Sequence, residues 1–399
     1  MLQLVRCARI LRPKKNGTLA SIQPHRTHLS FKASDLTYRL TSHPKPKPAN
    51  PEECAFGSHY TDHMLSVKWD EENGWGIPCI KPLENLSLHP ATSVFHYAIE
   101  LFEGMKAFHT EDNRIAMFRP MENMKRMYMS AERSCLPTFD QKELLDCISE
   151  LVRVDQDWVP RSNKASLYIR PTMIGTEPSL GVQRSLSALL YCILSPVGPY
   201  FKTGTLNPVS LLADPKYIRA AEGGAGAYKL GSNYGPTISI QHEAEKQGFQ
   251  QVLWLYGDNQ QLTEVGTMNV FVFWINDHGD KELVTASLDR GLILPGVIRS
   301  SLLELAKQWG EFKVTEGVIT MEDIILKLQE NRILEIFGTG TACVVCPVER
   351  IRYMGKDYHI PTMENGPYVA KKYYKQLTDI QYGKVQHEWS HTVVDNVKK

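Results

Sequence analysis

Apolar residues recur along this chain with two periods, and each change of period marks the edge of an element. Alternation over residues 63–69 and 165–171, the latter closed by Pro171, and short apolar runs over 187–194, 209–213 and 332–337 predict strands. Two hairpins are expected, at 107–118 around the turn 110–113, and at 251–275 around the turn 257–260. A helical period appears over 91–102 (Val94, Tyr97, Ala98, Leu101), after Pro120, and over 143–154, 237–247 and 297–306, with Gly310 as a stop. The stripe Met121, Met124, Met127 and Tyr128 reads as core, and Arg126, beside it, as a solvated helix charge. A proline-rich stretch at 43–51 reads as a stiff tether. These patterns divide the chain into a leader over 1–34, a tether over 35–56, a first domain over 57–199, a linker over 200–207 and a second domain over 208–399.

Length and composition narrow the class. A chain of 399 residues admits two or three domains at roughly 100–200 residues each. With 42% apolar and 22% charged residues and a net charge of +1, bulk charge gives no reason to expect nucleic-acid binding. No apolar run reaches the ~20 residues of a membrane span. Apart from Cys343 and Cys346 the cysteines are scattered, which fits a reducing compartment better than a disulfide framework. Residues 1–34 stand apart, having no Asp or Glu but Arg6, Arg9, Arg12, Lys14, Lys15, Arg26 and Lys32. Leu4, Cys7, Ala8 and Leu11 share one helical face, so the segment reads as a mitochondrial transit peptide. The alternative is a basic tail on a cytoplasmic protein.

Candidate chemistry centres on residues 223–235, where five glycines surround Lys229. Bare backbone of this kind permits positive φ and close approach of a ligand, though a flexible loop with an incidental lysine has the same composition. Glu264 sits in an otherwise apolar strand and needs a cationic partner there. Gly296 to Ile298 opens a helix, and its free N–H groups suit a phosphate. Residues 338–343 imitate a dinucleotide fingerprint but carry Cys343 where its third glycine belongs, so they read better as a turn of amides and hydroxyls able to hold an anion. Tyr168 and Arg170 share one strand face, suited to a carboxylate or to acids of the same sheet. One lysine, one strand glutamate and two anion cups are together what pyridoxal 5'-phosphate requires.

In order along the chain, Leu101-Phe-Glu-Gly-Met-Lys-Ala107, Ser166-Leu-Tyr-Ile-Arg-Pro171, Tyr228-Lys-Leu-Gly-Ser-Asn-Tyr-Gly235, Gln261-Leu-Thr-Glu-Val-Gly-Thr-Met-Asn269, Ile293-Leu-Pro-Gly-Val297 and Gly338-Thr-Gly-Thr-Ala-Cys-Val-Val-Cys346 resemble the fold-type IV pyridoxal-phosphate enzymes. Over residues 56–389 the chain is similar to branched-chain amino-acid aminotransferases of the animal type. That resemblance implies an α/β (α+β) fold of two domains, each a sheet or barrel-like core flanked by helices, with the active site between them. It implies a homodimer that moves the amino group of leucine, isoleucine and valine to 2-oxoglutarate, giving glutamate. It also implies roles: Lys229 to carry the cofactor and shuttle a proton, Glu264 to hold the pyridinium proton, and Tyr234 to bond the ring's 3-oxygen. Arg126, Val297, Ile298 and Thr341 would hold the phosphate, which replaces the solvated reading of Arg126. Thr267 and Ala342 would bind the substrate carboxylate near Tyr97. Phe56, Phe102, Tyr168 and the stretch around Val182, the last from a partner subunit, would wall the side-chain pocket, and Arg170 would take the distal carboxylate of glutamate. Cys343 and Cys346 would form a redox pair, one thiol acidified by the C-x-x-C arrangement; the competing reading is two buried small hydrophobes. Ser232, where many relatives carry glycine, and a stretch at 287–291 one residue longer than usual depart from the pattern, the second shifting the register of Val297 and Ile298. Rival readings are a D-amino-acid transaminase, an aminodeoxychorismate lyase, and a thiol protein working through Cys343 and Cys346.

Overall fold

A computed structural model describes residues 30–199, 206–364 and 366–397 of the protein. Within them the chain builds two sheets. The first runs, in spatial order, Thr37–Tyr38, Cys79–Pro82, His63–Asp70, Ser187–Val197, Ser166–Gly175, Met105–His109, Ile115–Phe118 and Ser390–Val394. Its long central strand Ser166–Gly175 decides what each face does. Leu167, Ile169 and Met173 point into a core shared with Met124 and Met127 of helix Pro120–Arg133 and Leu144 and Ile148 of helix Gln141–Val154. Because side chains alternate, Tyr168, Arg170 and Thr172 must point the other way. Asp140 starts the second helix, its carboxylate accepting from Lys142 N–H at 2.9 Å and Glu143 N–H at 3.1 Å.

The second sheet closes on itself. Gln261–Val265, Gln251–Tyr256, Val209–Ala213, Val344–Tyr353, Ile333–Gly340 and Met268–Ile275 follow one another, and the last pairs back to the first where Glu264 faces Asn269. Val270, Val272 and Trp274 fill one side together with Ile324 of helix Met321–Gln329. Phe271 and Phe273 face the other side, toward helices Val297–Trp309 and Tyr368–Gln381. That outer core also takes in Phe108, Phe118, Tyr382 and Trp389, so it spans both sheets and fixes the angle between them.

Several elements differ from the sequence pattern. In place of one helix over 91–102, Ser93–Tyr97 is helical, Ala98 turns left-handed at φ 48°, and Glu100–Phe102 pairs with residues 172–174. Ladder bonds to the central strand outweigh the local helical period. Pro171 does not close its strand, which continues to Gly175. Its carbonyl accepts from Glu103 N–H at 2.8 Å, so its ring nitrogen faces the same gap between two short strands, where no ladder bond is lost. The strand expected over 262–275 breaks at Gly266, whose φ is 57°. That left-handed φ, with a Cβ that would meet the Gln251 side-chain oxygen at 1.9 Å, favours glycine in the turn that presents Thr267.

Both ends of the described chain are tied into the first sheet. Residues 1–29 of the leader and 200–205 of the linker lie outside the described residues. Phe31, however, is 4% exposed and meets Trp75 edge-on at 5.1 Å, and Ala33 N–H donates to Glu143 at 2.7 Å. Along the tether, Thr37–Tyr38 pairs parallel to Cys79 and Ile80, and Lys45 N–H donates to Asp62 at 2.8 Å. At the far end Ser390–Val394 returns to pair antiparallel with Ile115–Phe118. Among the described residues no helix is long and apolar enough to cross a membrane.

Candidate active site

A cleft of about 320 Å³ opens where the Tyr168 face of the first sheet meets the Thr267 and Thr341 turns of the second. Lys229 lies in its wall. Its backbone is held from both sides: its N–H donates to Ser130 Oγ at 3.0 Å and its carbonyl accepts from Phe102 N–H at 3.1 Å. Asn233 ties the segment closed, donating to Ala225 O at 2.7 Å and Tyr228 O at 2.9 Å. The glycines serve close packing more than positive φ. A Cβ on Gly226 would come within 2.7 Å of Gly291 O, and one on Gly231 within 1.7 Å of Glu100 Oε1, while only Gly223 of this group is left-handed. The segment is therefore a fixed mount, and Lys229 Nζ rests 3.1 Å from Tyr234 Oη.

Arg126 is 6% exposed, so the solvated reading of its helix position fails. Its Nε and Nη2 donate to Glu103 at 2.6 and 2.8 Å, and its Nη1 to Pro295 O at 3.1 Å. Glu103, fully buried, also accepts from Asn123 Nδ2 at 2.8 Å and Gly104 N–H at 3.0 Å. Burial alone would raise its pKa, but Arg126, Lys229 and Asn123 together bring it below the ordinary carboxylate value. Burial likewise opposes the charge on Arg126, and Glu103 more than restores it. The guanidinium is aimed at the start of helix Val297–Trp309, where the first N–H groups have no intrahelical acceptor. Val297, Ile298 and Thr341 line the cleft at this end, and Thr339 Oγ1 is buried there without a hydrogen-bond partner.

Glu264 lies beneath the cleft, 2% exposed. One oxygen accepts from Leu294 N–H at 2.7 Å, and the other meets Arg219 Nε at 2.9 Å. Burial raises its pKa, and Arg219, Leu294, Lys229 and Arg126 pull against that rise. Arg219 also donates to Leu292 O at 3.2 Å and Gly226 O at 3.3 Å, so the same side chain anchors the Lys229 mount.

The side-chain wall is aromatic. Phe56 meets Tyr168 edge-on at 4.7 Å, and Phe102 meets Tyr234 at 5.0 Å. Arg170 lies 4.8 Å from the Phe102 ring centre and donates to Tyr168 Oη at 3.2 Å. Thr267 and Ala342 line the opposite side. Behind Ala342, Lys106 Nζ donates to its carbonyl at 2.9 Å, and desolvation lowers that ammonium to about 8. Tyr97 is not in this cleft: its hydroxyl donates to Leu180 O on the outside of the molecule, beside Val182, which is 85% exposed.

Cys343 borders the cleft and Cys346 lies behind it; both are buried free thiols. Cys343 Sγ sits 3.2 Å from Met268 Sδ. Burial pushes Cys343 up to about 12, against a small lowering by Lys106, and raises Cys346 as well. The C-x-x-C spacing therefore does not acidify either thiol in this conformation, because desolvation dominates. Between them Val344 is held at φ 64°, a costly conformation for a β-branched residue.

Sequence reasoning missed Glu103, Arg219 and Lys106. Glu103 lies in the link between Glu100–Phe102 and Met105–His109, where the helical period read over 91–102 gave it no buried role. Arg219 and Lys106 carried no signal, since their partners lie far off in sequence.

The amino-transferase class IV model matches residues 100–351. The chain is 58% identical to the cytosolic branched-chain-amino-acid aminotransferase of Ovis aries, covering 91% of this chain and 94% of that one. It is also 58% identical to the mitochondrial form of Bos taurus, over 90% and 91% of the two chains. Among solved structures, the Escherichia coli branched-chain amino-acid aminotransferase shares the fold at TM-score 0.64 and 23% identity, over 82% of this chain and 99% of that one. The Thermobaculum terrenum enzyme, solved in its pyridoxal-phosphate form, shares it at TM-score 0.64 and 18% identity, over 84% and 99%.

Replacing Glu103 by Gln leaves the Arg126 charge buried against a neutral partner. Denaturant unfolding should show a loss of about 3 kcal/mol. Breaking the exposed Lys142–Asp146 pair should barely move the midpoint; equal effects would contradict the importance given to the buried pair.

Proposed function

Because this chain belongs to the amino-transferase class IV family, we propose that it moves the amino group of leucine, isoleucine and valine to 2-oxoglutarate, with pyridoxal 5'-phosphate on Lys229. The single observation that carries this reading is one cleft holding Lys229, the Arg126 anion cup and a pocket wall that is both aromatic and cationic.

The residues present fit the cofactor. An orphaned Thr339 hydroxyl and the open helix start meet the need for phosphate donors. Gly296 packs so closely that a Cβ would lie 2.1 Å from Asn269 Oδ1, leaving bare backbone toward the cleft. Arg126, Val297, Ile298 and Thr341 would hold the phosphate, Tyr234 the 3-oxygen and Glu264 the ring nitrogen. When bound, the group supplies an electron-withdrawing ring and an aldehyde that exchanges amino groups. The chain's own residues do the rest. Arg219 keeps a countercharge beside Glu264, so an acid buried this deeply can hold negative charge against a protonated nitrogen. Lys229 Nζ, on its fixed mount, would take the proton from the substrate Cα and hold it for return to the carbon two atoms away, beyond the nitrogen, the 1,3-shift that transamination requires. Thr267 and Ala342 offer amides to the α-carboxylate. Phe56, Phe102 and Tyr168 exclude water around a branched side chain, and Arg170 accepts the distal carboxylate of glutamate.

Three finer points belong to the same proposal. The protein is a homodimer whose contact covers Leu180 and Val182, exposed apolar residues next to the Tyr97 hydroxyl's bond to Leu180 O; sedimentation at the monomer mass would contradict this. It is imported into mitochondria, as the basic leader implies. Relatives carry both mitochondrial and cytosolic names, so sequencing the native N-terminus decides, and cleavage should stop before the buried Phe31. Cys343 and Cys346 act as a redox pair once the strained Val344 turn opens. Peroxide should then inhibit the wild type slowly, and the Cys343→Ser/Cys346→Ser double variant much less; equal inhibition of the two would leave the pair as packing.

The direct test uses ¹⁵N-labelled leucine with 2-oxoglutarate. Label should appear in glutamate with the wild type, and transfer should fall by several orders of magnitude in Lys229→Ala. Transfer that persists in the variant, or a wild type that accepts no branched-chain amino acid, would overturn the reading.

A further inference from the structure

We infer that Glu100 sets the balance between dicarboxylate and branched apolar substrates, by standing as a countercharge behind the Arg170 guanidinium. This deepens the substrate reading above and rests on it. Glu100 and Phe102 lie on the same face of their short strand, which pairs with residues 172–174, so Glu100 shares a sheet face with Arg170 and Thr172. Its carboxylate is pressed against the turn after Lys229, where a Cβ on Gly231 would be 1.7 Å from Oε1. The packing fixes where this charge sits.

Arg170 itself is built to do two things. Its guanidinium lies 4.8 Å from the Phe102 ring centre and 5.2 Å from that of Tyr168. It donates to Tyr168 Oη rather than to Glu100, and its Nε is buried without a hydrogen-bond partner. The two carboxylate-facing requirements conflict. An uncompensated guanidinium in the pocket wall penalises an apolar side chain that strips away its water. A guanidinium locked in a bidentate pair would have no donors for the distal carboxylate of glutamate. A countercharge at intermediate range resolves the conflict, because it lowers the positive potential without occupying the donors.

The electrostatics of the neighbours agree. Burial raises the Glu100 carboxyl above its ordinary value, and Arg170 offsets part of that rise. Tyr191, opposite Thr172 on the next strand, is raised by burial and senses both charges, with Glu100 raising it further and Arg170 lowering it.

The test compares wild type with Glu100→Gln, which keeps the shape against Gly231 and removes the charge. KM for glutamate and 2-oxoglutarate should fall and KM for leucine should rise, so the kcat/KM ratio of glutamate to leucine increases by about tenfold, the effect of one partly screened charge. Equilibrium binding of two unreactive probes to the holoenzyme, glutarate and 4-methylpentanoate, should shift in the same opposite directions. Glu100→Asp should retain most of the wild-type ratio, which separates charge from packing. In an Arg170→Met background, Glu100→Gln should change the ratio by less than about twofold. A ratio unchanged by Glu100→Gln, KM values moving together, or an equal effect without Arg170 would each overturn the inference. Because the wild type must first turn over both substrates, failure of the broader functional reading would show before any variant is compared.

Discussion

A charged guanidinium buried inside a protein is costly unless an opposite charge meets it there, and this architecture depends on one such meeting. Arg126 comes from a helix of the first sheet's outer layer, and Glu103 from the short link between two strands of that sheet. Their bidentate contact, closed by Asn123 and the Gly104 amide, lets a full positive charge face the start of a helix that belongs to the second sheet. Removing either partner strands the other in a medium of low polarity. The pair therefore fixes where the anion cup lies, and the Arg126 bond to Pro295 O ties that cup to the approach of the second sheet's helix.

The second buried pair does the complementary work. Glu264 would be driven toward its neutral form by burial, and Arg219 resists that while gripping the carbonyls of Gly226 and Leu292. A single arginine thus couples the acid beneath the cleft to the mount of Lys229. The aromatic wall combines roles in the same way: one strand face presents Tyr168 and Arg170 together, so apolar surface and carboxylate donors occupy neighbouring positions. Alternation along Ser166–Gly175 makes that possible, because the opposite face is taken by the helical core.

How much of this could be read from the chain depended on whether the signal was local. Strands such as Ser187–Val197 show as apolar runs, and helices such as Gln141–Val154 by their helical period. Lys229, Glu264 and the helix start at Gly296 stood out because each breaks a local pattern. What escaped was decided at a distance. Ala98 looked helical until a strand pairing claimed Glu100–Phe102. Pro171 looked like a stop until its nitrogen found a gap in the ladder. Arg126 looked solvated because its partner lies 23 positions earlier in the chain. The glycines around Lys229 were read for conformational freedom, whereas most of them answer a lack of space.

The central claim is that the two sheets assemble a cofactor site on Lys229. Its most direct measurement is borohydride reduction of the purified, cofactor-loaded protein, followed by peptide mapping of the attached pyridoxyl phosphate. The account predicts one modified peptide, spanning residues 223–235, with the label on Lys229 Nζ. Label on Lys106 or on another lysine, or none on any, would contradict it.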